Sequence, residues 1–208
     1  MKSLSLTDRR IVRTRQIITN AYLELLKEKK NEDIIIKDIT ERANVNRSTF
    51  YSHYKDKYDL LDKITTETLT ALTQEMNGLP LDIRQHNESA TDVVDPYFVV
   101  FFNHIAKHET FYRIMFFIDP SGNFSDTMLA EIRSIFYIRV AGISKEKKLS
   151  VPLSILLDYL CSSLYGVSKR WLEQNLTYSS NHMALQMTRL SNLGVYGAMG
   201  LQEADGLT

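Results

Sequence analysis

Residues 36–61, IKDITERANVNRSTFYSHYKDKYDLL, constrain this chain more than any other stretch, because they fit two short helices, a tight turn and the start of a third helix into 26 residues. Ile36, Ile39 and Ala43 recur at helical spacing while Lys37, Asp38, Glu41 and Arg42 face elsewhere, the pattern of a short one-sided helix. Asn44 then stops it. Asparagine is the non-glycine residue that best tolerates the left-handed conformation of a helix stop, and Val45 can fold back onto the helix's apolar face. Asn46 is placed to cap the next helix, its side-chain oxygen accepting from the amide of Ser48 or Thr49. The turn is then only a few residues long, as a helix-turn-helix requires.

In the second helix, RSTFYSHY, Phe50 and Tyr54 share an inward face, while Arg47, Ser48, Thr49, Tyr51 and His53 project. Hydrogen-bonding side chains near a helix N-terminus are what a major-groove reading helix uses on base edges. Arg47 suits a guanine edge; Thr49 and Tyr51 suit phosphates or a thymine methyl. Asp56 caps a third helix, and Lys57, one residue on, is placed for its ammonium and the helix-start amides to meet one phosphate. The bland alternative is a helical hairpin with a solvated polar face. Agreement between turn, cap and projecting set argues against it.

The segments RTRQIITNAYLELLKEK, IKDITERANV and TFYSHYKDKYDLL, within residues 13–61, resemble the DNA-binding domain of the TetR family of bacterial transcriptional regulators. The resemblance implies an all-α chain: an N-terminal three-helix DNA-binding domain with a helix-turn-helix, joined by a connecting helix to a larger helical ligand-binding and dimerisation domain. Thr49, Tyr51 and Lys57 fall where family members hold DNA backbone, and Arg47 and His53 where they touch bases or phosphates. Arg13, Lys37, Asn46 and Ser48 complete the expected DNA-binding set. Two departures stand out. Asn44 replaces the usual glycine of the turn, and Ile35 or Ile36 replaces the hydroxyl residue that opens the second helix.

The formal net charge is zero, so distribution matters more than the sum. Residues 1–60 hold 13 Lys plus Arg against 9 Asp plus Glu, a net of +4 that the remainder balances with −4. That polarity orients the reading unit toward phosphate. A single cysteine, Cys161, excludes an internal disulfide and makes a reducing compartment the default. No signal-peptide core is visible, nor a run of about 18 apolar residues that would span a membrane. A cytoplasmic protein with no membrane partner is expected.

Taken in order, the first helix is expected from about residue 8, capped by Thr7 or Asp8, with Ile17, Ile18, Ala21, Tyr22, Leu25 and Leu26 as its inward stripe. Arg9, Arg10, Arg13 and Arg15 crowd its start beside the reading unit, either as a solvated face or for phosphate or minor-groove contact. The helix after Asp56 carries Leu60, Leu61, Ile64, Leu69, Leu72 and Met76 and reads as a connecting rod. Gly78, Pro80 and a polar stretch at 81–91 break the chain. The expected domains are therefore 8–55 for DNA binding, 56–78 for the connecting helix and 79–193 for a regulatory and dimerisation domain. Residues 194–208 are expected to be a disordered tail.

Beyond residue 93 the aromatic set Tyr97, Phe98, Phe101, Phe102, Phe111, Tyr112, Phe116 and Phe117 either lines an apolar pocket or fills a core, packing being the commoner role. Phe101, His104, Tyr112, Arg113, Phe116 and Tyr165 are the candidate positions for a small apolar or aromatic effector. His104 and His108 stand four apart with Glu109 adjacent, but two ligands are too few for a metal, and no cofactor is expected. A loop at 119–122 leads to a helix with Ser125 as cap and Ile132, Ile135, Phe136 and Val140 as core; charged residues from 145 end it. The last two helices run from about Pro152 to Asn175 and from about Ser180 to Leu193, the second with Met183, Met187 and Leu190 in a stripe. They have more apolar surface than one chain easily covers, which suggests a dimer through a four-helix bundle, unless both close the chain's own core. The resemblance implies the dimer.

No phosphate loop, GxSxG, dinucleotide fingerprint or Cys–His metal set is present, so the signatures of the common enzyme classes are absent. The expected function is a sequence-specific transcriptional regulator: by resemblance, a homodimeric repressor that releases a palindromic double-stranded DNA operator when a small molecule binds. The alternative is a DNA-bound regulator controlled by a protein partner.

Overall fold

The periodic apolar stretches fold as helices in the computed structural model, which describes residues 6–79, 93–118, 123–144 and 149–199. Among these residues the chain is all-α, with no strand. The helices are α1 (Leu6–Glu28), α2 (Ile36–Arg42), α3 (Arg47–Tyr51), α4 (Lys57–Asn77), α5 (Pro96–Lys107), α6 (Glu109–Arg113), α7 (Phe124–Ser144), α8 (Leu153–Glu173) and α9 (Ser180–Ala198). A 3₁₀ turn, Asn31–Asp33, joins α1 to α2, and α6 runs on into a π-helical turn, Ile114–Ile118. The chain divides into two units, Met1–Thr70 with Thr110–Thr127, and Ala71–Glu109 with Met128–Thr208.

In the first unit α1 packs on α2 and on the π turn, and α2 on α3. The stripe of α1 buries Ile18, Ala21, Tyr22, Leu25 and Leu26, but Ile17 is 39% exposed. A helix buries a stripe rather than a full side, and Ile17 lies at its margin. Phe50 from α3 is fully buried, a contribution of about 2–3 kcal/mol from apolar transfer. Within residues 110–127, Phe124 gathers three rings: Phe111 at 5.7 Å, Tyr112 at 6.2 Å and Phe116 at 5.5 Å between centroids. These contacts are edge-on, the arrangement aromatic quadrupoles favour.

The second unit is tied together at Asp95, the N-cap of α5. Its Oδ1 accepts the Tyr97 amide at 2.9 Å, and Pro96 occupies the first turn, where no amide is missed. Its own amide donates to Thr188 Oγ1 of α9 at 3.0 Å, and Arg139 of α7 donates to Oδ2 at 2.7 Å. Asp95, Arg139 and Thr188 are all buried. Phe102 of α5 meets Trp171 of α8 edge-on at 5.5 Å, and the Trp171 indole donates to the Tyr178 carbonyl at 2.9 Å. The α8 stop follows from local geometry: Asn175 and Leu176 have φ of 54° and 51°, while Leu176 N–H bonds back to Trp171 and Asn175 N–H to Leu172. Those paired bonds are the Schellman closure.

Several expectations shift. The first helix begins at Leu6, so Thr7 and Asp8 lie in its first turn rather than at its cap. Leu61 of α4 is half-buried. Phe117 is 37% exposed, outside the aromatic core. Helix α7 begins at Phe124, which puts Ser125 inside it, and Pro152 is the N-cap of α8 rather than its first residue. Of the expected tail, Val195 to Ala198 are helical beyond a break at Gly194; residues 200–208 lie outside the described residues, as do 81–91, 119–122 and the charges at 145–148. Among the described residues, no helix is long and apolar enough to cross a membrane.

Candidate nucleic-acid interface

The turn between α2 and α3 is built by Asn44. Its φ of 52° is left-handed; Asn44 N–H reaches Glu41 O at 3.1 Å and Val45 N–H reaches Thr40 O at 3.0 Å. Together these satisfy carbonyls of the last turn of α2 and turn the chain sharply into α3. At the other end of α2, the Ile35 amide donates to Asp38 Oδ2 at 3.0 Å. This is the return half of a capping box. Ile35 has no side-chain oxygen to supply the other half. That amide, and then Lys29 at 2.6 Å, hold the Asp38 carboxyl below the usual carboxylate range.

Asn46 occupies the N-cap of α3 but makes no side-chain cap bond, contrary to expectation. Its extended backbone and the Phe50 N–H to Asn46 O bond at 3.1 Å start the helix instead. Phe50 and Tyr54 point inward with rings 5.6 Å apart. Arg47, Ser48 and Tyr51 are exposed, and Thr49 and His53 are half-buried. The five projecting side chains therefore come from a single exposed turn and its exit.

The exit is fastened from two sides. Arg15 of α1 donates to Tyr54 Oη at 3.5 Å and pairs with Glu67 of α4. Lys63 of α4 donates to His53 O at 3.1 Å and Asp59 Oδ2 at 2.9 Å, with its ammonium 5.3 Å from the Tyr54 ring centre. Burial, then the positive charges of Arg15 and Lys63, hold the His53 imidazole below its ordinary pKa. His53 is thus neutral near pH 7. From the side of α1, the Glu28 carboxylate accepts from the two terminal nitrogens of the Arg42 guanidinium at 2.8 and 2.7 Å, a bidentate pair that sets α2 against α1.

Lys57 is placed differently from the expectation. Asp56 does cap α4, its Oδ1 accepting the Tyr58 and Asp59 amides at 2.8 Å each. The Lys57 ammonium, however, donates to the carbonyls of Asn31, Glu32 and Ile34. An ammonium has three donors, and all three are used within the chain. Arg15, grouped in sequence with the exposed Arg9, Arg10 and Arg13, is likewise committed internally. Lys37 is exposed and 3.7 Å from Glu41, a surface pair of little energetic weight. Lys63 and Asp38 were not singled out by sequence. The signals are the three-residue spacing from Ile35 to Asp38, muted by the missing hydroxyl, and the four-residue spacing from Asp59 to Lys63 on one helix face.

The candidate effector residues fall into both units. Phe101, His104 and Tyr165 belong to the second, and Tyr112, Arg113 and Phe116 to the first. Phe101, Tyr112 and Phe116 are buried, Tyr165 and Arg113 half-buried. The buried His104 ring meets Glu75 Oε2 at 3.1 Å through Nδ1; a carboxylate only accepts, so Nδ1 carries the proton. His108 lies 4.4 Å from His104, ring to ring, with its Nε2 buried and unbonded. Among the described residues, no group of three or more His, Cys, Asp and Glu is arranged to hold a metal ion.

Two family models match the chain. One, for bacterial regulatory proteins of the tetR family, covers residues 18–64, and the other, for a transcriptional regulator C-terminal region, covers residues 92–193. A Bacillus subtilis (strain 168) protein described as an uncharacterized HTH-type transcriptional regulator, YxbF, is 49% identical over 55 residues. That match spans 26% of this chain and 14% of the relative's length. A solved TetR transcriptional regulator from Streptococcus agalactiae 2603V is 26% identical, with a TM-score of 0.59 over 88% of this chain and 97% of that one. The fatty acid degradation regulator FadR from Bacillus halodurans shares the fold at 12% identity, with a TM-score of 0.66 over 94% of this chain and 100% of that one.

Proposed function

The chain belongs to the tetR family of bacterial regulatory proteins, and on that premise we infer that it is a cytoplasmic, homodimeric repressor that occupies a palindromic operator and leaves it when a small molecule binds. The family implies a DNA operator and dimerisation, and a regulator rather than an enzyme. The observation that carries the reading is α3, a single turn presenting Arg47, Ser48 and Tyr51 outward on a base of buried Phe50 and Tyr54. Arg47 reads a base edge, Thr49 and Tyr51 hold backbone, and neutral His53 can donate or accept beside them. Arg13, Lys37, Asn46 and Ser48 flank this set, and Lys57 joins it only by giving up one of its carbonyls.

The dimer seam is assigned to α8 and α9. Ile155 and Tyr159 on α8 and Leu190 on α9 are 57%, 59% and 39% exposed, large apolar side chains with little cover from their own chain. Two copies joined there present two reading helices to successive major grooves, about 34–36 Å apart. An effector that prefers another spacing lowers DNA affinity in linked measure. Control by a protein partner is the second reading. It draws on the aromatic residues, which pack against one another as a core does, and on exposed Tyr137 and Ile138 of α7.

The deciding experiment is selection of DNA fragments from a random pool by the purified chain at stated salt. An inverted repeat is the expected product. Binding without sequence preference would overturn the reading.

A further inference from the structure

Leu193 is the last residue matched by the C-terminal family model, and Gly194 directly after it has φ 65° and ψ 177°. These angles break the helix and belong to a region that only glycine adopts without strain. The chain then makes one more helical turn, closed by Met199 N–H to Val195 O at 3.1 Å. Gly197 lies inside that turn, and a Cβ there would stand 3.0 Å from Leu193 Cβ. One glycine therefore sets the angle of residues 195–199, and a second lets them lie close against the end of α9.

The side chains on this short arm are apolar and uncovered. Val195, Tyr196 and Met199 are 41%, 74% and 66% exposed, and the sequence from Gly194 to Met199, GVYGAM, has no charge. An uncharged segment suits neither nucleic acid nor a charged partner surface. It is continuous with α9, whose exposed Leu190 belongs to the face assigned above to the dimer seam.

We propose that residues 195–199 form a clasp that closes over a second copy of this chain at the edge of the α8–α9 seam. The inference rests on the dimer reading. It goes beyond the family's common interface, because the arm lies outside the matched range. Apolar side chains at the end of a helix extend an interface core that is already apolar, and each protomer contributes one arm by symmetry.

The test exploits Cys161, the chain's only cysteine, which is buried. A Tyr196→Cys variant labelled with a benzophenone maleimide is photolysed at concentrations where the intact chain is dimeric. A cross-linked dimer is the expected product. Truncation after Leu193 and Gly194→Val, which cannot adopt the break, should each raise the dimer Kd about tenfold or more by sedimentation, with unchanged helical circular dichroism. Cross-links confined to one chain in an intact dimer, or an unchanged Kd in the truncated chain, overturn the clasp and leave the seam standing. An intact chain that stays monomeric defeats the seam itself, and the clasp with it.

Discussion

Lys57 Nζ donates to Ile34 O at 2.8 Å, so the first residue of α4 closes the turn that leads into α2. With Asn31 and Glu32 also bonded, the ammonium gathers the carbonyls of this 3₁₀ segment around a single charge. Lys57→Met should lower unfolding stability by about 1–3 kcal/mol, the worth of charge-assisted bonds at a half-exposed site. Urea titration checks this. An unmoved midpoint would show that the clamp contributes nothing and return Lys57 to phosphate duty alone.

Arg47 carries the opposite expectation. It is exposed on α3, so Arg47→Ala should leave the urea midpoint in place. Its effect belongs on DNA: discrimination at one base pair should fall by about 1–3 kcal/mol. Equal loss on operator and random DNA would reassign the residue to backbone contact.

The turn residue Asn44 offers a two-way test. Glycine takes a φ of 52° without penalty and valine does not. Asn44→Gly should hold or raise stability by a few tenths of a kcal/mol, and Asn44→Val should lower it by about 1–2 kcal/mol. Thermal unfolding of the two variants reads the difference; the reverse order would mean that the turn relaxes.

In the second unit, Arg139 and Asp95 are both buried, with the guanidinium carbon 4.1 Å from the Tyr97 ring centre. Arg139→Met strands the carboxylate and should cost about 3–5 kcal/mol. Adding Asp95→Asn removes the stranded charge and keeps a capping oxygen, so the double variant should be more stable than the sum of single losses allows. A double-mutant cycle showing strict additivity would mean that the pair is not coupled.

Acid should weaken the fold through His108. Burial, with His104 and Lys107 adding positive charge against Glu75, pushes its pKa from 6.5 down to about 4. Between those values the unfolded chain holds a proton that the folded chain does not. Stability therefore falls as pH drops through that window, and the loss is complete below about 4. Glu75, whose carboxyl is also held below its ordinary value, adds its own loss only lower down. His108→Gln should flatten the decline between about pH 6.5 and 5 in urea midpoints; parallel curves would remove His108 from the account.

Much of the reading unit is legible in its sequence because its signals are local. Asn44, Asp56 and the Phe50–Tyr54 spacing act within a few residues, and each stands where periodicity and capping chemistry put it. Charged partners are not local. Lys57 finds carbonyls 23 to 26 positions away, and Arg15 finds Glu67 52 positions away. Nothing in the spacing of a basic cluster says which member will be spent on the protein. The same holds for Asp95, whose partners lie 44 and 93 positions on. The sequence shows residues 110–118 to be rich in aromatic and apolar side chains; it does not show with which unit they pack.

The π turn at Ile114–Ile118 closes its rings one residue later than an α-helix does. It therefore holds one residue in surplus, with Ile114, Met115 and Phe116 buried around it. Deleting a single residue there leaves an ordinary helix and spares the downstream chain the rotation of about 100° that the same deletion forces in an α-helix. A length change of one, ruinous in the middle of α4 or α8, is tolerated by construction at this point, which makes it the natural place for homologous chains to differ by an insertion.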